Sequence, residues 1–275
     1  MVIFVGPGGV PISSPDRSTV GGIEHCARIG LNAMECEFVR GVKMSPKMAE
    51  EVGETAKANK IRLSVHAPYY VNLLSDKKIL VRKSMQRILD SLDRAERMGA
   101  DAVAVHAAYY GKLSREDAQK QMMKVTQELV AQMEKLGIKH AKLGYETMAK
   151  PSQWGSLSEI SEIHKRFPKK VVPYLDWGHL FCPDGKLDFA EILDFMKKLH
   201  LEHINSHFNC VKFSEKQKGY VDVHAPVATK KPDFEDLAKQ LVKKKVDITL
   251  ICETPYLEQD ALAMKKILVK EGYKF

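Results

Sequence analysis

Short apolar runs alternate along the chain with longer stretches in which apolar residues recur at helical spacing. The runs cover residues 2–5, 33–36, 61–65, 102–105, 141–145, 171–175, 203–206 and 248–252. They are rich in Val, Ile and Leu and mostly lack in/out alternation, as strands covered on both faces do. Helix punctuation fills the intervals. Ser45-Pro46 sets a capping hydroxyl before a first-turn proline and predicts a helix over 47–59. Ser114 with Asp117 and Ser156 with Glu159 predict further helix starts, the second in full S-x-x-E form. Gly30, Gly99 and Gly137 each close a helical stretch just before a strand.

Eight strand-then-helix units in about 250 residues are what a closed (β/α)8 barrel requires. The expected fold is therefore an α/β TIM barrel, a single domain over residues 1–275. The rival is a doubly wound open sheet, but no G-x-G-x-x-G opens a helix after the first strand. With 44% hydrophobic and 28% charged residues, the composition excludes disordered and collagen-like classes. Apolar stretches such as 248–252 are too short to cross a bilayer, and Met1-Val-Ile-Phe-Val-Gly6 does not read as a signal peptide. Five scattered cysteines with no C-x-x-C pair predict reduced thiols and a cytoplasmic location. The net charge of +8 suits a polyanionic partner, although the run Lys243-Lys-Lys245 reads as a solvated helix face. Nothing reads as an oligomer interface, which leaves a monomer as the expectation.

Chemistry concentrates where the strands end. Strands three to eight end at His66, His106, Glu146, Asp176, His207 and Glu253. In a TIM barrel the C-terminal strand ends converge on one face, and function sits there. The loops add His179, three residues after Asp176, and the pair Asp222-Val-His224. Each could be ordinary taken alone: a strand-end His is usually hydrogen-bonded core, and Asp176 could cap the next turn. His25, His140, His164, His200 and His203 are read that way. Nine such groups on one rim would strand one another's charge unless cations joined them. Nitrogen and oxygen donors without thiolate suit zinc, with manganese the second choice, and this many donors leave room for more than one ion.

The strings His66-Ala-Pro-Tyr-Tyr-Val-Asn-Leu73, Leu175-Asp-Trp-Gly-His179, His207-Phe-Asn209, Asp222-Val-His224 and Glu253-Thr-Pro255 resemble the endonuclease IV family of AP endonucleases. Gly6-Pro-Gly-Gly-Val-Pro11 and the region 35–39 look more like archaeal-type members. The resemblance implies three Zn2+ ions per chain, with Mn2+ an alternative at one position. His66 and His106 would hold one ion, bridged by Glu146 to a second that Asp176, His207 and Glu253 complete. His179, Asp222 and His224 would hold the third. The implied reaction is hydrolysis of the phosphodiester 5′ to an abasic site in double-stranded DNA, as part of base excision repair. Glu146 and Glu253 would orient metals and nucleophile. Tyr69 would reach into the duplex at the lesion, and Tyr70 would either wedge there or only pack over the barrel mouth; Arg40, Lys43 and Lys112, on neighbouring βα loops, are candidate phosphate contacts. The pattern departs from bacterial members at Thr147-Met-Ala-Lys-Pro151, Phe208-Asn-Cys210 and the segment 225–232, which puts loop shape and substrate choice in question. A single-metal sugar isomerase or epimerase related to xylose isomerase is the alternative. It would need only Glu146, Asp176, His207 and Glu253, and would leave the other donors idle.

Overall fold

The computed structural model describes all 275 residues, Met1–Phe275. Its main elements are β1 (Ile3–Pro7), α1 (Thr19–Arg28), β2 (Ala33–Glu37), α2 (Pro46–Ala58), β3 (Arg62–His66) and α3 (Lys78–Met98). Then come β4 (Ala102–Val105), α4 (Arg115–Lys135), β5 (Lys142–Glu146), α5 (Leu157–Arg166) and β6 (Val171–Asp176). The chain ends with α6 (Trp177–Phe181), α7 (Phe189–Lys198), β7 (Ile204–Phe208), α8 (Phe234–Lys244), β8 (Ile248–Cys252) and α9 (Glu258–Lys270). The eight strands form one sheet in the order β1, β8, β7, β6, β5, β4, β3, β2. Gly8 bridges Glu35 in parallel and Gly9 N–H donates to the Glu35 carbonyl at 3.1 Å, so β1 also meets β2. This is the expected TIM barrel.

The chain divides into two compact units. One comprises Met1–Glu35, Asn59–Ile61 and Leu175–Phe275, the other Cys36–Ala58 and Arg62–Tyr174. In the first, β1 pairs in parallel with β8 from Ile3–Ile248 to Pro7–Cys252, and β8 pairs with β7. Every residue of β7 and β8 is buried, which is why their sequences show no alternation. Phe208 meets Phe234 of α8 edge-on at 4.8 Å, and Trp177 meets Phe189 of α7 at 5.5 Å. The carboxylate of Glu258, at the start of α9, accepts the backbone N–H groups of Ile12 and Ser13 at 2.8 and 2.9 Å and ties the loop after β1 in place.

In the second unit β4 pairs in parallel with β5, from Ala102–Lys142 to Val105–Tyr145. Helix α3 buries Met85, Ile88, Leu92 and Ala95, a stripe at three- and four-residue spacing. Burying such side chains contributes roughly 1.5–3 kcal/mol each. The helix signals act as read. Ser45 Oγ accepts from Met48 N–H, Ser114 caps α4, and Ser156 with Glu159 forms the full capping box of α5. Gly30, Gly99 and Gly137 have φ of +83°, +67° and +73°, where a Cβ would be strained.

Two small features lie outside the sequence expectation. One is a two-residue ladder, Ala108–Tyr109 with Gln153–Trp154. The other is an antiparallel ribbon, Cys210–Ser214 with Gly219–Ala225, which has a bulge between Val211 and Lys212. The ribbon's polar tip reads as loop in sequence, yet its second strand carries Asp222 and His224. No helix is long and apolar enough to cross a membrane.

Candidate metal centre

The second unit contributes one group of donors. His66 ends β3, His106 follows β4 and Glu146 ends β5, and one ligand atom from each lies within 4.8 Å of the others. Glu146 Oε2 is 3.5 Å from His66 Nε2 and 3.0 Å from His106 Nε2. The other nitrogen of His66, Nδ1, is 2.7 Å from the Ala67 carbonyl. A carbonyl only accepts, so Nδ1 carries the proton and the Nε2 lone pair faces the carboxylate. Tyr69 lies over both rings, at centroid distances of 5.3 and 5.8 Å.

The first unit contributes the rest. His207 on β7, Glu253 after β8 and Glu35 on β2 form a second group of the same kind. His207 Nδ1 is 3.6 Å from Glu253 Oε2, and its Nε2 is 2.7 Å from Glu35 Oε1. Asp176 is fixed through both oxygens: Oδ1 caps α6 by accepting His179 N–H at 2.7 Å, and Oδ2 accepts from the Asn209 amide at 3.0 Å. Gly178 makes that contact available, because a Cβ there would lie 2.1 Å from Asn209 Oδ1. The Asp-Trp-Gly-His string thus places two donors one helical turn apart and leaves room for the residue that orients the first. On the ribbon, Asp222 Oδ1 is 3.3 Å from His179 Nε2 and 3.7 Å from His224 Nε2. His224 Nδ1 lies 2.6 Å from the Glu253 carbonyl, so its Nε2 carries the lone pair that faces Asp222.

These residues fit divalent ions by two measures. Two ligands bonded at about 2.05 Å to a tetrahedral ion stand about 3.3 Å apart. Donor separations of 3.0, 3.3, 3.5, 3.6 and 3.7 Å bracket that value. Charge gives the second measure. Glu35, Asp176 and His207 are 0% exposed and Glu146 1%, and unneutralised carboxylates are costly at such depth. No cysteine belongs to these donor groups. Burial pushes Cys252 up to about 12 and Cys210 up to about 11, so both stay protonated at neutral pH. The structure therefore holds several His/carboxylate clusters able to take a metal ion.

Residues 23–269 match the family described as Xylose isomerase-like TIM barrel. The chain belongs to that family. An uncharacterized protein of Methanocaldococcus jannaschii, MJ0133, is 28% identical over 97% of this chain and 96% of its own length. Among solved structures of the same fold, endonuclease IV from Thermus thermophilus superposes with a TM-score of 0.71 at 19% identity, covering 98% of this chain and 97% of that one. A D-tagatose 3-epimerase-like protein superposes with a TM-score of 0.67 at 21% identity, with 98% and 97% coverage. Barrels of this fold thus include a nuclease and an epimerase-like protein, and the choice between such chemistries lies in the side chains.

All nine residues read from the sequence as donors fall in these groups, while Glu35 was missed. Glu35 lies inside the apolar run 33–36 rather than at a strand end, and a fully buried strand that contains a carboxylate must supply it a partner. That was the available signal. Tyr69 and Tyr70 are exposed by 50% and 70%, and Arg87 fixes the loop by donating to the Tyr70 carbonyl at 2.9 Å. Arg40, Lys43 and Lys112 are on loops of the same unit, and all three are exposed. The five histidines read as structural include His164 bonded to the Val171 carbonyl and His203 to the Thr249 hydroxyl, both at 2.8 Å.

Proposed function

We propose that this chain is a zinc-dependent AP endonuclease of the endonuclease IV type. It hydrolyses the phosphodiester 5′ to an abasic site in duplex DNA and leaves 3′-OH and 5′-deoxyribose phosphate ends. The observation that carries this reading is the surplus of donors. A one-ion sugar enzyme uses Glu146, Asp176, His207 and Glu253. It has no use for His66 and His106 packed against Glu146, or for His179 and His224 packed against Asp222. The resemblance of the motif strings and the positive net charge support the same choice.

In this reading His66, His106 and Glu146 hold one ion, Asp176, His207 and Glu253 a second, and His179, Asp222 and His224 a third. Bound zinc supplies a water that is hydroxide-like at neutral pH and positive charge for the phosphoryl oxygens. The chain's own groups do the rest. Glu146 and Glu253 orient the site as its catalytic carboxylates. Tyr69, held over His66 and His106, meets the exposed face of the lesion, and Tyr70 wedges into the stack. Arg40, Lys43 and Lys112 take backbone phosphates and set register.

The test is incision of a duplex carrying a tetrahydrofuran abasic analogue, beside the same duplex intact. Cutting 5′ to the analogue alone, lost on chelation and in Glu146→Ala, is expected. Undiminished cutting by Glu146→Ala removes that residue from the site, and absence of any cutting by zinc-loaded protein rejects the nuclease reading.

A further inference from the structure

We propose that Glu35 is a positioning residue whose carboxylate holds the Nε2–H of His207 and so presents the Nδ1 lone pair to a divalent ion. The inference deepens the reading of the His207–Glu253 group as a metal site and rests on it, but not on DNA as substrate. Three imidazoles each turn one nitrogen to a protein acceptor and the other to a carboxylate. His66 gives its Nδ1–H to the Ala67 carbonyl and turns Nε2 to Glu146. His224 gives its Nδ1–H to the Glu253 carbonyl and turns Nε2 to Asp222. His207 is inverted: Nε2 meets Glu35 at 2.7 Å, and Nδ1 turns to Glu253 at 3.6 Å.

The two His207 distances decide the roles. The shorter one is that of a charge-assisted N–H···O hydrogen bond and leaves no room for an ion on that side. The longer one is close to the roughly 3.3 Å between two ligands of one tetrahedral ion. Glu35 and His207 are both 0% exposed, so neither can exchange its partner for bulk water. Where His66 and His224 rely on neutral carbonyls, His207 has a carboxylate behind it, and a negative acceptor makes the opposite nitrogen a stronger base toward a metal. The position of Glu35 follows from the strand: it stands within β2, whose residues 33–36 are otherwise apolar and buried.

Two measurements on full-length protein test this. In zinc-loaded wild-type protein labelled with 15N-histidine, His207 should carry its proton on Nε2 and its metal on Nδ1. The reverse assignment overturns the proposal, as does a zinc-loaded crystal structure with a Glu35 oxygen at bonding distance, about 2.0–2.2 Å from an ion. In chelator competition, Glu35→Gln should weaken one bound zinc by about 10–100-fold and leave the others unchanged. Equal affinity at every ion, or equal weakening of all of them, would show that Glu35 only supports packing. Should the variant fail to fold, the wild-type spectrum still decides. Failure of DNA incision would leave these readouts untouched.

Discussion

In the His66–His106–Glu146 group one carboxylate faces two imidazoles, whereas around His207 two carboxylates, Glu35 and Glu253, face a single imidazole. The first group carries at most one negative charge, which a single protonated ring would balance. In the second, one imidazole stands between two carboxylates, and Glu35 and His207 are both 0% exposed. The two groups use the same residue types in opposite proportion, so on the proposed reading the second should draw more heavily on a cation. Donor identity alone does not show this difference. It comes from the added Glu35 and from which ring nitrogen each acceptor occupies.

Removing metal should have the largest effect and should separate the groups. An ion present at about a thousand times its Kd stabilises the folded state by about 4 kcal/mol. Chelation should lower the unfolding midpoint, and amide exchange should speed up more in Ile204–Phe208 than in Arg62–His66. Equal acceleration would mean that the extra carboxylate makes no difference.

Tyr69→Ala comes next and addresses the two-imidazole side, where the ring lies over His66 and His106. Binding to abasic duplex should weaken by about 1–3 kcal/mol, the worth of one stacked ring, with a smaller loss for intact duplex. Equal losses would reduce the tyrosine to packing.

Glu258→Gln gives a control carboxylate held by no histidine. Burial pushes its pKa up, but the backbone N–H groups of Ser13 and Ile12 outweigh that and hold it below the ordinary value of 4.5. A lowered folded-state pKa means the charged group stabilises the fold above the ordinary carboxylate range. That contribution is lost as pH falls through the lowered value. The variant should be about 1.5 kcal/mol less stable at neutral pH and flatter below the carboxylate range in denaturation. A parallel acid profile for the two proteins would contradict the assignment.

His224→Ala should have the smallest effect on stability, about 0.5 kcal/mol or less, because its side chain is 35% exposed on the ribbon. Metal analysis should nevertheless show about one ion fewer per chain.

The sequence made the barrel legible because most strands are short runs rich in Val, Ile and Leu and most helices carry their own stop or cap. Ser156 with Glu159 is as clear in the sequence as in the structure. The candidate donors were legible because six of them stand at or beside the ends of consecutive strands, where a barrel gathers its side chains. The ribbon was not, because strands of five and seven residues around a polar tip look like any exposed loop. Glu35 escaped for a different reason. Its partner His207 is 172 residues away, and no local spacing encodes that contact.

The most direct measurement is the zinc content of protein purified without chelator. If the three donor groups each hold an ion, about three should be found per chain. A single tightly bound ion would contradict that arrangement and leave His66, His106, His179 and His224 as hydrogen-bonding residues of a one-metal barrel.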